Sequence, residues 1–347
     1  MITIYDIAKK AGVSTATVSK VLNGRKDVSA RTVRKVKQIT EEMGYHPSAN
    51  ARGLATKKNK TIGVFFQDHL NTGFRHTFLQ DILASFKDVV GSQGYDLVFF
   101  ANNQPDNGLE SFEARARQRN VDGVLLLGVP RTDPDLASLA QSRIPCMSID
   151  LDLLGPTAGY LTSDNIGGAI RAVDYLVEMG HRDIAYISEF LGTKPGHDRL
   201  IGYQTALKNH DIPIRSEWIE AGNFTEESGY LAAMNLLEKE NKPTAVFCAG
   251  DMMAIGAMTA FKEKQLEVGE DISIIGFDDI SLLKYVTPRL TTIRQQKDVM
   301  GKRAADELLK LINNPDYFPS TFTIDTELVE RDTVANVNPA AKVESID

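Results

Sequence analysis

The chain has 347 residues, of which 42% are hydrophobic, so it is too long for one compact unit and apolar enough to fill several cores. A net charge of -7 hides an asymmetry, because residues 1–60 carry 13 Lys and Arg against 4 acids and the remainder carries 26 against 42. These values exclude a uniformly basic nucleic-acid coat protein, and indicate a phosphate-attracting first segment followed by an acidic part suited to sensing and association.

The two cysteines, Cys146 and Cys248, stand far apart and without a metal-binding spacing. We therefore expect buried thiols in a reducing compartment, with no disulfide framework and no zinc site. The first residues lack the apolar stretch of a secretory signal, and no segment approaches the roughly 20 apolar residues of a membrane span. We expect a cytoplasmic protein without a membrane contact, a metal or a cofactor.

Between residues 4 and 44, apolar residues recur at three-to-four spacing, which predicts three short helices and no strand. Thr3 and Asp6 form a predicted capping box, and Ser14 and Ser29 are predicted N-caps. Three glycines stand where the chain must turn between helices: Gly12, Gly24 and Gly44.

The second predicted helix begins at Thr15, and a rotation of about 100° per residue separates its two faces. One face has small polar side chains and a single cation: Thr15, Ala16, Ser19 and Lys20. The opposite face presents Val18 and Val21. A face of this kind fits a DNA major groove, although an isolated segment of the same composition is more often an ordinary solvated surface.

The surrounding sequence favours the DNA-binding interpretation. IYDIAKKAGVS at 4–14, TVSKVLN at 17–23 and VSARTV at 28–33 closely resemble the headpiece of the lactose-repressor (LacI/GalR) family. The resemblance implies an all-α helix-turn-helix headpiece over residues 1–46. It implies the following DNA contacts: Thr15, Ala16 and Lys20 to bases, Thr17 and Ser19 to the backbone, and Asn23 as a cap that contacts phosphate.

Residues 47–60 are the predicted hinge helix and linker, and they contain Gly53, so any isolated helix here would be marginal. Family members fold this hinge on DNA and insert a leucine into the minor groove. Leu54 falls on that position, so the resemblance implies that it bends the operator.

After residue 60, apolar runs alternate with amphipathic helices such as 165–179 and 297–312. The apolar runs that we predict as strands are 62–66, 97–101, 124–127, 147–149, 184–187, 245–248 and 272–276. This rhythm predicts parallel sheets covered on both faces, and its length favours two lobes.

The family resemblance extends to about residue 333. The matching segments are SDN at 163–165, GHRDIA at 180–185, DRLIGY at 198–203, NFTEESGY at 223–230, DMMAIG at 251–256, GFDD at 276–279 and PRLTTIRQ at 288–295. They imply an α/β sensor domain over 61–334 that is similar to periplasmic sugar-binding proteins. Its predicted lobes are about 61–161 with 291–325, and 162–290 with 326–334, followed by a loose tail at 335–347.

Sugars and polyols are held by carboxylates and Arg at their hydroxyls, and by an aromatic ring against their apolar face. By the resemblance, six residues fall at effector-binding positions: Asp150, Arg199, Phe224, Asp251, Asp278 and Gln295. Three departures weaken a transfer of ligand identity. Gly250 replaces an amide that is common in relatives, the loop 67–78 is long and polar, and Lys297 stands near a position that can be aromatic.

We predict a homodimeric repressor that binds near-palindromic operator DNA. We expect its small-molecule effector to be a carbohydrate or a carbohydrate derivative. No motif for an enzyme is present, and the pair Asp278 and Asp279 fits ligand binding better than acid–base catalysis. A sugar-binding transport receptor is the alternative from a different class. A catabolite-control regulator with a phosphorylated carrier protein as corepressor is another, because ARGLATKK at 51–58 resembles that subgroup, but DILASFKD at 81–88 lacks the expected basic docking pattern.

Overall fold

The computed structural model describes residues 2–22, 24–25, 27–45, 58–66, 77–101, 111–189 and 192–338. The chain divides into two compact units. The first comprises Met1–Thr61 with Asn120–Asp122, and the second comprises Ile62–Arg119 with Gly123–Asp347. None of the helices in the described residues combines the length and the apolar character that a membrane-spanning helix needs.

The first unit contains the three predicted short helices, α1 (Ile4–Ala11), α2 (Thr15–Leu22) and α3 (Ala30–Glu42). Their apolar faces form one small core from Ile7, Ala8, Ala11, Val18, Val21, Val36 and Ile39. The two predicted valines of α2 are therefore buried. Burial of these faces is the main source of stability for helices this short, because isolated helices of this length are marginal in water.

Side-chain caps fix where these helices begin. The capping box between Thr3 and Asp6 is present at the start of α1. The hydroxyl of Ser14 accepts a hydrogen bond from the backbone N–H of Thr17 at 3.1 Å, and Ser29 accepts one from Thr32 at 3.2 Å. The capping predictions from the sequence are confirmed, because each cap satisfies a backbone donor that the first helical turn leaves without a partner.

The second unit contains twelve strands and eight α-helices within its described residues. The strands are β1 (Thr61–Phe66), β2 (Asp96–Phe100), β3 (Gly123–Leu127), β4 (Cys146–Ile149), β5 (Ala158–Ser163), β6 (Ile184–Glu189), β7 (Ile219–Gly222), β8 (Ala245–Cys248), β9 (Ser273–Asp278), β10 (Thr291–Gln295), β11 (Thr321–Ile324) and β12 (Thr326–Val329). The helices are α4 (Thr77–Ser92), α5 (Phe112–Gln118), α6 (Leu136–Gln141), α7 (Asn165–Glu178), α8 (Lys194–Asn209), α9 (Glu226–Glu238), α10 (Asp251–Glu263) and α11 (Lys297–Asn313).

These strands form two six-stranded sheets, one for each lobe. The sheet of the first lobe has the order β11-β5-β4-β3-β1-β2, and the sheet of the second lobe has the order β12-β10-β9-β8-β6-β7. Neighbours whose pairing is described are parallel, except that β12 runs antiparallel to β10. The two-lobed α/β fold is thus as predicted, and the carboxyl ends of the parallel strands carry most of the candidate ligand residues.

Two predicted crossings between the lobes are displaced. β5 continues in the first sheet as far as Ser163, so the first crossing follows that residue, two positions after the approximate prediction of 161. β10 pairs with β9, with Thr291 opposite Ile275, so 291–295 belongs to the second lobe and the prediction of a crossing near 291 is wrong. The chain instead crosses at Gln296, before α11 packs on α4. Pairing decides the lobe of β10, because its sequence has no long apolar run.

Residues 335–338 are not a loose tail. Val337 donates a backbone hydrogen bond to the carbonyl of Met179 at 2.8 Å, and the carbonyl of Ala335 lies 3.2 Å from Nε2 of His181. The aperiodic sequence did not reveal these contacts because they are made by backbone groups. Residues 339–347 lie outside the described part.

The prediction that both cysteines are buried is confirmed. Cys146 and Cys248 are both free and buried, one in β4 and one at the end of β8. Burial raises the pKa of Cys146 to about 12, so its thiol stays protonated and unreactive in the folded protein.

Candidate functional site

The exposed face of α2 has the composition that the sequence predicted. Ala16 and Lys20 are exposed, while Thr15, Thr17 and Ser19 are half-buried. The hydroxyl of Thr17 lies 2.9 Å from that of Ser14, so it takes part in the helix cap. Asn23 and Leu54, the other two predicted DNA contacts, lie outside the described residues.

Lys20 has a close acidic partner that the sequence analysis did not single out. Its Nζ lies 2.6 Å from Oδ2 of Asp27, which precedes α3. The hydrogen bond from Lys20 holds the pKa of Asp27 below its usual value, so this carboxyl group is ionised near neutral pH. The only sequence signal for this pair is an acid in a strongly basic segment.

Arg199, on the first turns of α8, is a buried cation with 2% exposure. Its Nε donates to Oδ1 of Asn165 at 2.8 Å, and its guanidinium also donates to the carbonyl of Ala249. Its Nη2 lies 3.4 Å from Oδ1 of Asp278, and its Cζ lies 3.7 Å from the ring centroid of Phe277. These partners compensate the buried charge and fix the direction of the guanidinium.

Two strand ends bring Asp278 and Gln295 together. Nε2 of Gln295 donates to Oδ1 of Asp278 at 2.6 Å, and both side chains are buried. Oε1 of Gln295 is buried without a hydrogen-bond partner in the described part of the protein. A buried acceptor of this kind costs free energy unless it is satisfied, so a ligand hydroxyl or amine is a suitable donor.

Asp150 reaches the same cluster from the first lobe, immediately after β4. Thr162 donates its hydroxyl to Oδ1 of Asp150 at 2.7 Å. Burial raises the pKa of Asp150, and the charge of Asp278 adds to this, while the Thr162 hydrogen bond and the charge of Arg199 oppose it. The structure therefore brings Asp150, Arg199 and Asp278 within electrostatic range of one another at the junction of the lobes.

Phe224 also belongs to this cluster. The Cζ of Arg199 lies 5.9 Å from its ring centroid, and its backbone has a φ of 65°. The neighbouring Gly250 leaves room for the ring, because a Cβ there would lie 2.9 Å from Cδ1 of Phe224. The packing of the Phe224 ring thus explains why residue 250 is a glycine here and not the amide that is common in relatives.

Asp251 does not occupy the ligand-contacting position that we predicted. Its side chain is fully buried, with Oδ1 accepting from the hydroxyl of Thr292 at 2.6 Å and Oδ2 accepting from the N–H of Ile280 at 2.9 Å. Burial raises its pKa well above the usual value, and the charge of Asp278 adds to the effect. Asp251 therefore supports the loop after β9 from beneath the cleft. Position in a motif did not reveal this, because side-chain direction depends on tertiary packing.

Asp279 and Asp278 do not form a pair of facing carboxylates. Asp279 accepts hydrogen bonds from Arg294 at 2.7 Å and from Arg331 at 2.6 Å. Although partial burial would raise the pKa of Asp279, these hydrogen bonds and charges lower it overall. The two neighbouring side chains thus serve separate networks.

Lys297 begins α11 and reaches back to the end of β9. Its Nζ donates to the carbonyl of Asp279 at 2.6 Å and to that of Asp278 at 3.2 Å. It also lies 3.6 Å from Oδ2 of Asp81 on α4. A cavity of about 490 Å³, bordered by Asp81, Gln295 and Lys297, opens here and falls in the range of about 300–1,000 Å³ that is usual for small-molecule pockets.

The long polar loop predicted at 67–78 falls mostly outside the described residues. Residues 67–76 lie outside the described residues, and α4 begins at Thr77. Whether this loop contributes to the cleft stays a prediction.

Two family models match the chain. The model for bacterial regulatory proteins of the lacI family matches residues 3–48, and the model for a periplasmic binding protein-like domain matches residues 173–334. Relatives match nearly end to end. The probable HTH-type transcriptional repressor ExuR of Bacillus subtilis (strain 168) is 37% identical over 96% of this chain and 98% of its own length. The HTH-type transcriptional repressor PurR of Yersinia pestis (strain Pestoides F) is 37% identical over 97% and 98%.

Solved structures of this architecture are also similar to the chain. The Lac repressor dimer bound to operator and the anti-inducer ONPF has a TM-score of 0.83 and 29% identity, covering 96% of this chain and 99% of that chain. The transcriptional regulator CelR in complex with cellobiose has a TM-score of 0.71 and 28% identity, covering 96% and 100%.

Proposed function

The chain belongs to the lacI family of bacterial regulatory proteins, and we propose that α2 reads its operator while the cluster around Arg199 binds its effector. The protein is a DNA-binding transcriptional regulator controlled by a small molecule, not an enzyme. The lacI-family headpiece also decides against a transport receptor, which has no use for a DNA-binding domain.

The proposed DNA contacts follow from the exposed face of α2. Ala16 and Lys20 are exposed and are assigned to base edges, together with Thr15 at the start of the helix. Thr17 and Ser19 are assigned to the DNA backbone and Asn23 to a phosphate. Leu54 is assigned by family position to the minor groove, where it would bend the operator. Relatives that match this chain end to end are named repressors, and we assign repression to this protein as well.

The effector that this cleft fits best is a polyol or carbohydrate. The observation that carries this assignment is a cluster around the buried Arg199 guanidinium, with two carboxylates and a ring from Asp150, Asp278 and Phe224. Gln295 joins the cluster through its hydrogen bond to Asp278, and its own amide oxygen is unsatisfied. Carboxylates and the amide oxygen accept from hydroxyls, and the ring can cover an apolar sugar face. Structural neighbours were solved with cellobiose and with ONPF, which supports the same class of ligand.

We further assign a homodimer and a cytoplasmic location. A neighbouring structure is a dimer on operator DNA, and a closed two-fold assembly presents two reading helices to two half-sites. A regulator that binds operator DNA must share a compartment with it, which supports a location in the cytoplasm.

The test separates the two halves of the proposal. Selection from a randomised duplex pool should return a near-palindromic site, and sedimentation should show two chains bound to it. A thermal-shift screen of neutral sugars, sugar acids, sugar phosphates and nucleobases should give one stabilising class, with about 2.7 kcal/mol expected at 100 times its Kd. Stabilisation by nucleobases alone would reject the carbohydrate assignment and leave the DNA assignment intact.

A further inference from the structure

The ion pair between Lys20 and Asp27 contributes little to the stability of the folded protein. The two side chains are 51% and 59% exposed, at an Nζ to Oδ2 separation of 2.6 Å. Exposed ion pairs contribute little to stability, because water screens them and ordering two side chains costs entropy. Their position matters more, since the pair joins the last turn of α2 to the residues before α3.

Asp27 is a rare acid in a strongly basic segment. Residues 1–60 contain four acids against 13 Lys and Arg. Asp6 caps α1, and Glu42 accepts from Lys10 at 3.3 Å and from Gln38 at 2.9 Å on α3. Asp27 alone among these three neutralises a cation of α2. A carboxylate at a DNA-facing surface opposes phosphate binding, so its presence there calls for a role in recognition.

We infer that Asp27 is a specificity-determining residue that acts through Lys20, an inference that rests on the proposed role of α2 as the reading helix. A lysine ammonium has three donors, and one of them is held by Asp27. The remaining two can point at a base edge such as O6 and N7 of guanine. On DNA without that base, the Lys20 ammonium attracts phosphate only weakly, because the Asp27 carboxylate compensates its charge. Asp27 thereby lowers affinity for arbitrary sequence more than affinity for the operator.

The experiment uses the full-length chain in five forms: wild type, Asp27→Asn, Lys20→Ala, the double variant and Glu42→Gln. Glu42→Gln is the matched control, because it removes one negative charge from the same unit, at an ion pair on α3. The probes are a random-sequence duplex and a duplex selected by the wild type from a randomised pool. Affinity for each is measured across a series of potassium chloride concentrations.

Asp27→Asn should bind the random duplex more tightly, because the ammonium becomes available to phosphate. The slope of log affinity against log salt should steepen by roughly 0.9 per headpiece, which corresponds to about an eightfold gain at 0.1 M salt. Affinity for the selected duplex should change less, so the ratio of the two affinities falls. Glu42→Gln should leave that ratio close to the wild-type value.

Three results would overturn the inference. Equal changes in Asp27→Asn and Glu42→Gln would show that only net charge matters. A gain from Asp27→Asn that persists without Lys20 would show that the residue does not act through the lysine. A sequence-specific loss from Asp27→Asn with or without Lys20 would show that the carboxylate reads a base itself, as an acceptor from cytosine. The assignment of α2 fails separately, if Lys20→Ala leaves the ranking of selected sequences unchanged.

Discussion

Gly250 and Phe224 fit together because residue 250 has no side chain. A Cβ atom on residue 250 would lie 2.9 Å from Cδ1 of the Phe224 ring. Gly250 has a φ of -164°, which is extended backbone that any residue adopts, so what the glycine supplies is space. The Phe224 ring, which borders the proposed ligand cleft, can therefore occupy its position only because residue 250 has no Cβ atom.

Gly250→Ala should lower the free energy of unfolding by about 1–3 kcal/mol, the usual cost of inserting a methyl group into a packed site. Urea denaturation followed by circular dichroism measures it. The same substitution in a Phe224→Ala background should cost much less, because the clashing ring is gone. An equal loss in both backgrounds would refute the steric relationship.

Arg199→Met should abolish the response to effector while leaving the DNA-binding headpiece itself unchanged. The variant keeps most of the side-chain volume but removes the donors to Asn165, Ala249 and Asp278, and a charged hydrogen bond to ligand is worth about 1.5–3 kcal/mol. Operator titrations with and without the ligand from the thermal-shift screen measure the effect. If ligand releases DNA, the variant stays bound, and if ligand is a corepressor, it fails to bind.

Arg215→Met is the control for that experiment. Arg215 is a partly exposed arginine whose Cζ lies 4.2 Å from the ring centroid of Trp218, and it makes no described contact with the Arg199 cluster. Its loss should leave the ligand response unchanged. An unchanged ligand response in Arg199→Met itself would reject the assignment of the site.

Asp279→Asn should destabilise the protein near neutral pH and lose this effect in acid. The substitution weakens charged hydrogen bonds from Arg294 and Arg331, at a cost of about 1.5 kcal/mol, the low end for such bonds because both arginines are partly exposed to solvent. The pKa of Asp279 is lowered in the folded protein, so its stabilisation is present above the ordinary value of about 3.9 and is lost as pH falls through the folded value. Denaturation at pH 7 and below pH 4 compares the two proteins, and a constant difference would contradict the prediction.

Lys297→Met should loosen the loop after β9, where Asp278 and Asp279 both have positive φ, of 119° and 50°. Lys297 belongs to α11 in the first lobe, yet it donates to both carbonyls of that loop in the second. We expect a lower melting temperature and weaker ligand binding by roughly 1–2 kcal/mol, the net worth of these hydrogen bonds. Lys302→Met removes an exposed partner of Asp298 and serves as the control. Equal melting temperatures in the two variants would count against the role of Lys297.

The sequence by itself determined the local features of this protein. Capping at Thr3, Ser14 and Ser29 was readable because a cap and its partner lie within three residues of each other. Helical periodicity predicted the buried and exposed faces of α2, and runs of apolar residues predicted the buried strands. The family motifs also selected Asp278 and Gln295, which end β9 and β10, and Asp150, which directly follows β4.

Only the tertiary structure decided which way side chains turn once those strands assemble. Asp251 points under the cleft to Thr292 and Ile280, residues about 30 to 40 positions away in sequence. The lobe of β10 depended on pairing with β9, because a short polar strand can be hydrogen-bonded into either sheet. Lys20 meets Asp27 only because α2 and α3 pack on one core. These contacts depend on long-range packing, which local periodicity and motif position do not encode.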